Sequence, residues 1–440
     1  MSSHKTGVRE LDNEVIHALH GAAEDLPAPE HAETFGASFA RFGDVDVVLL
    51  GECTHGTSEF YRARAAITRF LIQNFGFNIV AVEADWPDAA RVDRYVRHQT
   101  PTASQAQAFA RFPSWMWRNV EFLEFVEWLR AHNEQRRPEA RVEFRGLDIY
   151  SLHSSIAAVL AYLDATDPEA ARDARHRYGC LTPWQDEPAL YGRQALKGGE
   201  NCETEVNLQL VELLNRRLDH ATRNGETLFD TIQNARIVRA AESYYRIMYH
   251  GSRESWNLRD RHMFDTLQLL LNHRKGSKAI VWAHNSHIGN AAATAMGWEG
   301  EFNIGELCRT AHGSDMVAIG FCTDRGTVAA ASDWDRPMEI KRVLAARPDS
   351  FEHLFRRAGH DRALIDWRNR PDLGALLAQP RLERAIGVVY RPDTELLSHY
   401  FQAAMNEQFD ALVWFETSRA ITPLDAKPPA GAPETYPFGL

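Results

Sequence analysis

Five apolar runs in this chain each end in a group of polar or charged side chains. In one-letter code they are VVLLGECTH, IVAVEADW, VEFRGLDIY, AIVWAHNSH and VAIGFCTD. Short apolar runs of this kind are typical of buried strands. In an open parallel sheet the carboxyl ends of the strands lie along one edge, and ligands bind outside that edge. The pattern therefore predicts that acids and histidines from distant parts of the chain meet in one cleft, and it favours an enzyme.

The first two runs are joined by a segment with helical periodicity. The sequence predicts a strand over Val45–Leu50, a helix over Ser58–Phe75 that stops at Gly76, and a strand over Ile79–Val82. A strand–helix–strand unit of this length forms a right-handed crossover between parallel strands. We therefore expect an α/β fold with a central, mostly parallel sheet flanked by helices, and a deep cleft at the carboxyl ends of its strands.

The chain divides into four parts by composition and periodicity. Residues 1–150 are predicted to form the first part of an α/β catalytic core, and residues 151–275 a helical insertion or subdomain. Residues 276–420 are predicted to complete the core, with strands over Met316–Cys322, Ala385–Tyr390 and Ala411–Phe415. The segment 421–440 is a proline-rich tail, which is expected to be extended or mobile.

Charge and cysteine content narrow the class of protein. The net charge of -11 argues against nucleic-acid or membrane-surface partners, which favour basic proteins. No run approaches the ~18 apolar residues of a membrane span, and the first residues lack a signal-peptide core, so a cytoplasmic location is expected. Five scattered cysteines without a CxxC motif indicate neither a disulfide framework nor a zinc–thiolate site. The oligomeric state is left open.

Glu52 and His55 follow the first run. A carboxylate beside an imidazole holds one ring tautomer and raises its basicity, as a general base that activates water requires. The structural alternative is that Glu52 caps a helix and His55 lies in a turn. Glu83, at the end of the second run, either pairs with an arginine or acts as a proton donor whose pKa is raised by a neighbouring acid.

His284 and His287 follow the fourth run and flank Asn285. They could stabilise an oxyanion or protonate a leaving alcohol, or Asn285 could simply cap a helix. A third interpretation is a divalent metal, because imidazole and carboxylate ligands suit zinc, manganese and iron. The candidate ligands of that metal are Glu52, His55, Glu83, His284 and His287. The residues favour proton transfer without a cofactor.

Other candidates are weaker. Cys53 is an unfavourable nucleophile because residues i and i+2 of a tight loop point apart, and GxSxG is absent. The segment WNLRDRHM is predicted to be a solvated or salt-bridged helix face, from which Arg259 or His262 could reach the cleft. The residues expected to bind substrate at the rim or wall of the cleft are Arg62, Trp86, Trp115, Trp117, Asp148 and Asn285.

The segments GECTHG, EADW and HNSH, in this order, closely resemble the erythromycin esterase family. The resemblance extends from about residue 40 to about residue 420, and the text GTSEFYRAR and EADWPDA is similar to the broad branch of the family rather than to its dedicated resistance enzymes. It implies hydrolysis of an ester or of a macrolide-like lactone, as in antibiotic resistance, by water that a histidine activates without an obligatory metal.

Carried onto this chain, the resemblance makes His55 the base and Glu52 its partner. Glu83 falls on the second acidic position, His284 and His287 on the later histidine pair, and Arg64 on the helix arginine, with Arg62 as the adjacent alternative. Three hypotheses follow: a metal-independent hydrolase of a small-molecule ester or lactone, a metal-dependent hydrolase with the same cluster, and a non-catalytic protein that binds a small ligand such as haem.

Overall fold

The computed structural model describes residues 2–99, 108–109, 113–184, 188–199, 201–220 and 225–424. The proposed tail lies almost entirely outside these residues. The α-helices are α1 (Ser2–Ala22), α2 (Ala32–Ala37), α3 (Ser58–Phe75), α4 (Trp86–Val96), α5 (Val120–Glu134), α6 (Leu152–Thr166), α7 (Pro168–Tyr178), α8 (Pro188–Leu196), α9 (Glu203–His220), α10 (Gly225–Ile247), α11 (Ser252–His273), α12 (Asn285–Ile288), α13 (Ala295–Trp298), α14 (Ile304–His312), α15 (Phe351–Ala358), α16 (Pro371–Leu377), α17 (Glu395–Ser398) and α18 (Met405–Gln408).

The strands form one large sheet and one small one. They are β1 (Glu24–Asp25), β2 (Val47–Leu50), β3 (Ile79–Asp85), β4 (Glu143–Asp148), β5 (Ala279–Trp282), β6 (Met316–Ala331), β7 (Met338–Val343), β8 (Arg362–Asp366), β9 (Arg381–Arg384), β10 (Tyr400–Ala403) and β11 (Ala411–Ser418). The large sheet has the order β1-β8-β11-β6-β2-β5-β3-β4, and β7 pairs with β6. The small sheet joins β9 to β10.

The large sheet is mostly parallel, as predicted. β11, β6, β2, β5, β3 and β4 pair in parallel, whereas β8 runs antiparallel to β1 and β11, and β7 antiparallel to β6. All four residues of β2 and of β5 are buried, as expected for strands covered by helices on both faces. The predicted strand over Ala385–Tyr390 is wrong, because the extended residues there are Arg381–Arg384 and only isolated bridges follow.

The segment between β4 and β5 is helical. It contains α6 to α11, and a second apolar cluster from Ile149 to Met248 lies within it. The last of these helices, α11, instead contributes Met263, Leu267 and Leu270 to the main core. A disulfide joins Cys180 to Cys202 in this segment, which the scattered cysteine pattern did not indicate, while Cys53, Cys308 and Cys322 are free and buried.

No helix within the described ranges combines the length and the apolar character needed to cross a membrane.

Candidate active site

Four neighbouring parallel strands bring the predicted acids and histidines to one edge of the sheet. β2, β5, β3 and β4 lie side by side in that order. Glu52 and His55 follow β2, His284 follows β5, Glu83 lies near the end of β3, and Asp148 ends β4. Each of these residues is at most 5% exposed. The side chains that the sequence predicted to meet therefore do lie together.

Glu52 orients His55 and is itself held by Arg64. His55 Nδ1 lies 2.9 Å from Glu52 Oε1, and Arg64 Nη2 lies 2.6 Å from Glu52 Oε2. The guanidinium of Arg64 lies over the rings of Tyr61 and Trp282, 4.7 and 5.0 Å from their centroids. A carboxylate that accepts from Nδ1–H leaves the lone pair of the neutral ring on Nε2. His55 is thus oriented to take a proton at Nε2.

His284 presents its own Nε2 beside that base. The backbone N–H of Ser286 donates to His284 Nδ1 at 3.2 Å, and the Ser286 hydroxyl lies 2.8 Å from the same nitrogen. Because Nδ1 accepts, the ring proton is on Nε2. Burial and, after it, the charge of His55 hold the pKa of His284 well below its usual range, although a hydrogen bond to the Cys53 backbone acts to raise it.

The Nε2 atom of His284 is buried and makes no hydrogen bond of normal length and angle with the described residues, although the Cys53 backbone lies close enough to act on the ring. The rings of His55 and His284 lie 4.9 Å apart, centroid to centroid. A neutral imidazole with its N–H free can donate to an oxygen that becomes negative during a reaction. The two histidines therefore supply a base and a donor to the same small region.

Glu83 is an ionised carboxylate that positions His284. Its Oε2 accepts from the backbone N–H of His284 at 2.9 Å, and its Oε1 accepts from Arg259 Nη2 at 2.8 Å. Burial alone would raise the pKa of Glu83, but the charges of His287 and Arg259 hold it well below its usual range. Glu83 is thus not the proton donor that the sequence left as one interpretation.

His287 is enclosed on all sides. Its Nδ1 lies 2.9 Å from Asp260 Oδ1, and its Nε2 lies 3.3 Å from Glu83 Oε1 and 3.0 Å from Arg259 Nη1. The ring of Trp256 stacks on it at 4.4 Å. Both ring nitrogens are therefore occupied by protein groups. This corrects the prediction that His287 shares proton transfer with His284, because His287 has no free nitrogen to offer.

Two residues of this network come from α11, which is distant in sequence from the strand ends. Arg259 forms a bidentate ion pair with Asp148, at 2.9 and 2.6 Å, and Asp260 holds His287. Of the two expectations for this helix face, solvated or salt-bridged, the structure shows the second for Arg259, and its ion pairs are buried. The sequence did contain a signal for an inward-facing side of this helix. The residues at helical spacing that are buried together are Trp256, Arg259, Asp260 and Met263. Asp148 is thus a partner of Arg259 and not a rim residue.

Several predicted substrate-binding residues have other partners. Arg62 forms an ion pair with Glu124 at 2.7 Å on the outside of α3, so Arg64 alone of the two reaches the cluster. Trp86 is buried and donates through Nε1 to Asp230 at 2.7 Å. These positions contradict the expected contacts with substrate.

Asn285 is part of the scaffold. Its side chain donates to the carbonyl of Phe321 at 3.0 Å and accepts from the Phe321 N–H at 3.2 Å, and its backbone N–H donates to the Glu52 carbonyl at 2.8 Å. It is fully buried. The prediction that Asn285 faces the substrate is therefore wrong, because its polar atoms are used to join strand ends.

The aromatic segment is mainly core. Trp115 and Trp117 are 5% and 7% exposed, and Trp117 packs edge-on against Tyr61 and Phe122. Both tryptophans are thus mainly core residues, and their expected role in the wall of a cleft stays a prediction. His262, the other candidate of the WNLRDRHM segment, faces Thr266 on its own helix, and burial lowers its pKa to about 3.

The acids, arginines and histidines described above form an ion-pair network. Within the described parts of the chain, no three His, Cys, Asp or Glu side chains are grouped so as to hold one metal ion. A cavity of about 580 Å³ lies farther along the same sheet edge, lined by Glu59, Arg325, Phe415 and Arg419 among others. Arg325 and Arg419 are paired with Glu416 and Glu59, and the lining does not include the histidines.

His287 is expected to stabilise the fold only at neutral and acidic pH. Burial lowers its pKa, but Asp260 and Glu83 outweigh this and raise it to about 9. The folded-state pKa is thus above the ordinary value of about 6.5, so the stabilisation is complete below about pH 6.5 and is lost as the pH rises towards 9. The loss is roughly 3 kcal/mol.

Urea unfolding between about pH 6 and about pH 9 measures this loss. The His287→Gln variant has no such titration, so its free energy of unfolding should fall by roughly 3 kcal/mol less over the same interval. Equal losses in the two proteins would contradict a charged His287.

Fold and site together define an α/β protein with acid–base groups at the carboxyl edge of a mostly parallel sheet. The chain is similar to proteins of the same architecture. It is 23% identical over 402 residues to the Erythromycin esterase type II of Escherichia coli, covering 86% of this chain and 90% of that one. It also superposes on a protein of Bacillus cereus with a TM-score of 0.80 and 19% identity, covering 94% and 99% of the two chains.

A third similarity is to an erythromycin esterase variant solved in its open conformation. The TM-score is 0.64 at 16% identity, covering 90% of this chain and 98% of that one. The model of the family described as Erythromycin esterase matches residues 72–418. The chain belongs to the erythromycin esterase family. The Glu52–His55 motif precedes the matched range, so its place in the site depends on the geometry given above.

Proposed function

We propose that this chain hydrolyses a carboxylic ester or lactone with water activated by His55. The observation that supports this most directly is the juxtaposition of His55, oriented by Glu52, with the unpartnered Nε2–H of His284. A base and an oxyanion donor side by side are the two elements that acyl transfer to water requires. Membership of the family supports a hydrolase of this type.

The reaction can be written with these groups. His55 Nε2 takes a proton from water as the oxygen attacks the carbonyl carbon. The carbonyl oxygen becomes negative and accepts a hydrogen bond from His284 Nε2–H. When the tetrahedral intermediate collapses, the C–O bond to the alcohol breaks, and the proton on His55 passes to the leaving oxygen. The products are a carboxylic acid and an alcohol, or one hydroxy acid from a lactone.

The remaining residues of the cluster are positioning residues in this proposal. Arg64 balances the charge of Glu52 while Glu52 orients His55. Glu83 holds the backbone of His284, and His287 with Arg259 keeps Glu83 ionised. Glu52 and Glu83 thus fix the base and the donor in position beside each other.

The name of the Escherichia coli relative suggests a macrolide lactone, and the proposed chemistry applies equally to simpler esters. We therefore propose a small-molecule ester or lactone, with macrolides as one member of the class to be tested.

A substrate panel with metal analysis tests this proposal. We expect the purified protein to hydrolyse at least one aryl ester, alkyl ester or macrocyclic lactone, and to keep its rate after dialysis against a chelator. Mass spectrometry in H₂¹⁸O should place the label in the acid product. Stoichiometric metal whose removal abolishes turnover would support the metal-dependent alternative instead. A tightly bound ligand with no turnover on any ester would contradict hydrolysis altogether.

A further inference from the structure

Two buried glutamates lie behind the loop that carries His284. Glu352 is in the first turn of α15 and Glu383 is in β9, and neither is exposed to solvent. Glu352 Oε1 accepts from the backbone N–H of Arg384 at 2.8 Å. Glu383 Oε1 accepts from Asn285 Nδ2 at 3.3 Å. One oxygen of each carboxyl group is thereby engaged.

The other oxygens of this pair are unpartnered. Glu352 Oε2, Glu383 Oε2 and the side-chain oxygen of Gln408 are buried and make no hydrogen bond of normal length and angle with the described residues, although the side chains of Ser350 and Gln408 lie near the two acids and act to lower their pKa values. Buried acceptors without donors are costly, and two adjacent carboxylates without a cation between them are more so. A proton on one of the carboxyl groups supplies the missing donor.

The nearby cation does not neutralise both acids. Arg384 donates from Nη1 to the Asp324 carbonyl at 2.8 Å and from Nη2 to the Leu344 carbonyl at 2.9 Å, and its Nε lies 3.1 Å from Glu395. Its guanidinium is therefore used away from Glu383. The ionisable or charged groups around the pair include Arg384, Cys53, Cys322, Asp324, Glu395, Tyr390 and Tyr400.

Glu383 is connected to the candidate active site through Asn285. Asn285 joins Glu383 to the backbone of Phe321 in β6 and to the carbonyl of Glu52. It also packs on Gly51, where a Cβ atom would come within 2.1 Å of its Oδ1. Any displacement of Asn285 therefore moves its neighbour His284 and the segment that carries Glu52.

We propose that Glu383 is a positioning residue of the hydrolase: it shares one proton with Glu352, holds Asn285, and through Asn285 fixes His284 against His55. The proposal rests on the proposed function for its effect on turnover, but not for the shared proton. Burial, followed by the charge of Glu352, raises the pKa of Glu383 to about 8, in agreement with a carboxyl group that keeps its proton at neutral pH.

The sign of the pH effect follows from that proton. The folded-state pKa of Glu383 lies above the ordinary value of about 4.3, so the folded chain loses stability as the pH rises from there to about 8. Above this pH a second negative charge stands beside Glu352 with no cation between them. Repulsion between the two ionised acids then favours entry of water between them and their separation, which displaces Asn285.

Glu383→Gln is the decisive variant because it copies the protonated acid. Its amide oxygen can accept from Asn285, and its NH₂ group can donate to the free oxygen of Glu352. We expect the variant to keep kcat within about twofold at neutral pH, by the scale of a retained hydrogen bond. Its thermal midpoint should fall less than that of wild type between about pH 6 and about pH 9.

Two further variants complete the test. Glu383→Leu removes the acceptor and should lower kcat at least about tenfold with KM little changed, since it misplaces His284 without removing it. Glu407→Gln, an exposed change on the neighbouring α18, should behave as wild type in every assay.

The thermal midpoints need no substrate, so they separate this proposal from the proposed function. If the thermal midpoint of Glu383→Gln depends less on pH than that of wild type, but wild type hydrolyses no ester, the shared proton is supported and the proposed hydrolase activity is contradicted. Identical pH dependence in wild type and Glu383→Gln would overturn the shared proton. So would a stoichiometric cation found by elemental analysis in wild type and absent from Glu383→Gln.

Discussion

Replacing His55 with asparagine is expected to lower kcat for ester hydrolysis by about 10²–10⁴-fold, the range for loss of a general base. Asparagine is smaller and still polar, but it cannot take a proton from water. The loss should appear in kcat more than in KM, because the proposed role of His55 is in the reaction and not in holding the substrate. Initial rates on the best ester of the panel, near the pH optimum, measure it.

Two companion variants make this result specific. Glu52→Gln keeps a hydrogen-bond acceptor for His55 but removes the charge, so its loss should be smaller than that of His55→Asn. His312→Asn makes the same chemical change at the end of α14, where His312 contacts Gln268, and should leave kcat unchanged. Hydrolysis by His55→Asn at the wild-type rate would refute His55 as the base.

Replacing Arg259 with methionine is expected to cost about 3–5 kcal/mol of folding stability, the range for breaking a buried ion pair from one side. Methionine keeps much of the side-chain length but leaves Asp148 buried without its cation and leaves Glu83 with His287 alone. Urea unfolding at neutral pH measures the change. The variant should also lose activity, because Glu83 loses one of the two cations that fix its position against the His284 backbone.

Arg62→Met is the matched control for this prediction. It removes an arginine whose ion pair with Glu124 is partly exposed, and surface pairs of this kind contribute about 0–1 kcal/mol. A stability loss for Arg259→Met no greater than that of Arg62→Met would contradict the charged network. Protonation of Glu83 or Asp148 in the variant would appear as a partial recovery of stability at acidic pH.

The strand–helix–strand unit at the start of the core was readable from sequence because its signals are local. The helix was predicted over Ser58–Phe75 and is found there, ended by Gly76 in the left-handed conformation. The fully buried strand β2 is also close to its predicted bounds. Apolar runs of this kind can be recognised from the local sequence, without knowledge of distant residues.

Strands whose extended conformation depends on a tertiary pairing partner were not predicted. β7, with the sequence MEIKRV, is polar and largely exposed, and it is extended because it pairs with β6. β8 is five residues long and runs antiparallel to β11, which a model of repeated parallel crossovers does not predict. In both cases the pairing partner, and not the local sequence, determines the conformation.

The sequence predicted those residues of the candidate site that lie at the ends of strands. Glu52, His55, Glu83 and His284 came together because parallel topology alone places them on one edge. Arg259 and Asp260 come from a helix more than a hundred residues after β4, so only the tertiary fold shows that they turn inward. The same limit explains Asn285: its position between two histidines suggested a ligand contact, and the structure uses it to join β6 to the loop after β2.

A crystal structure with a phosphonate ester that mimics the tetrahedral intermediate tests most directly whether His55 and His284 act on one carbonyl group. We expect a phosphonate oxygen within hydrogen-bond distance, about 2.6–3.2 Å, of His284 Nε2, and a second oxygen at the same distance from the His55 ring. An analogue bound away from both histidines, for example in the cavity lined by Glu59, Arg325 and Phe415, would contradict the proposed site.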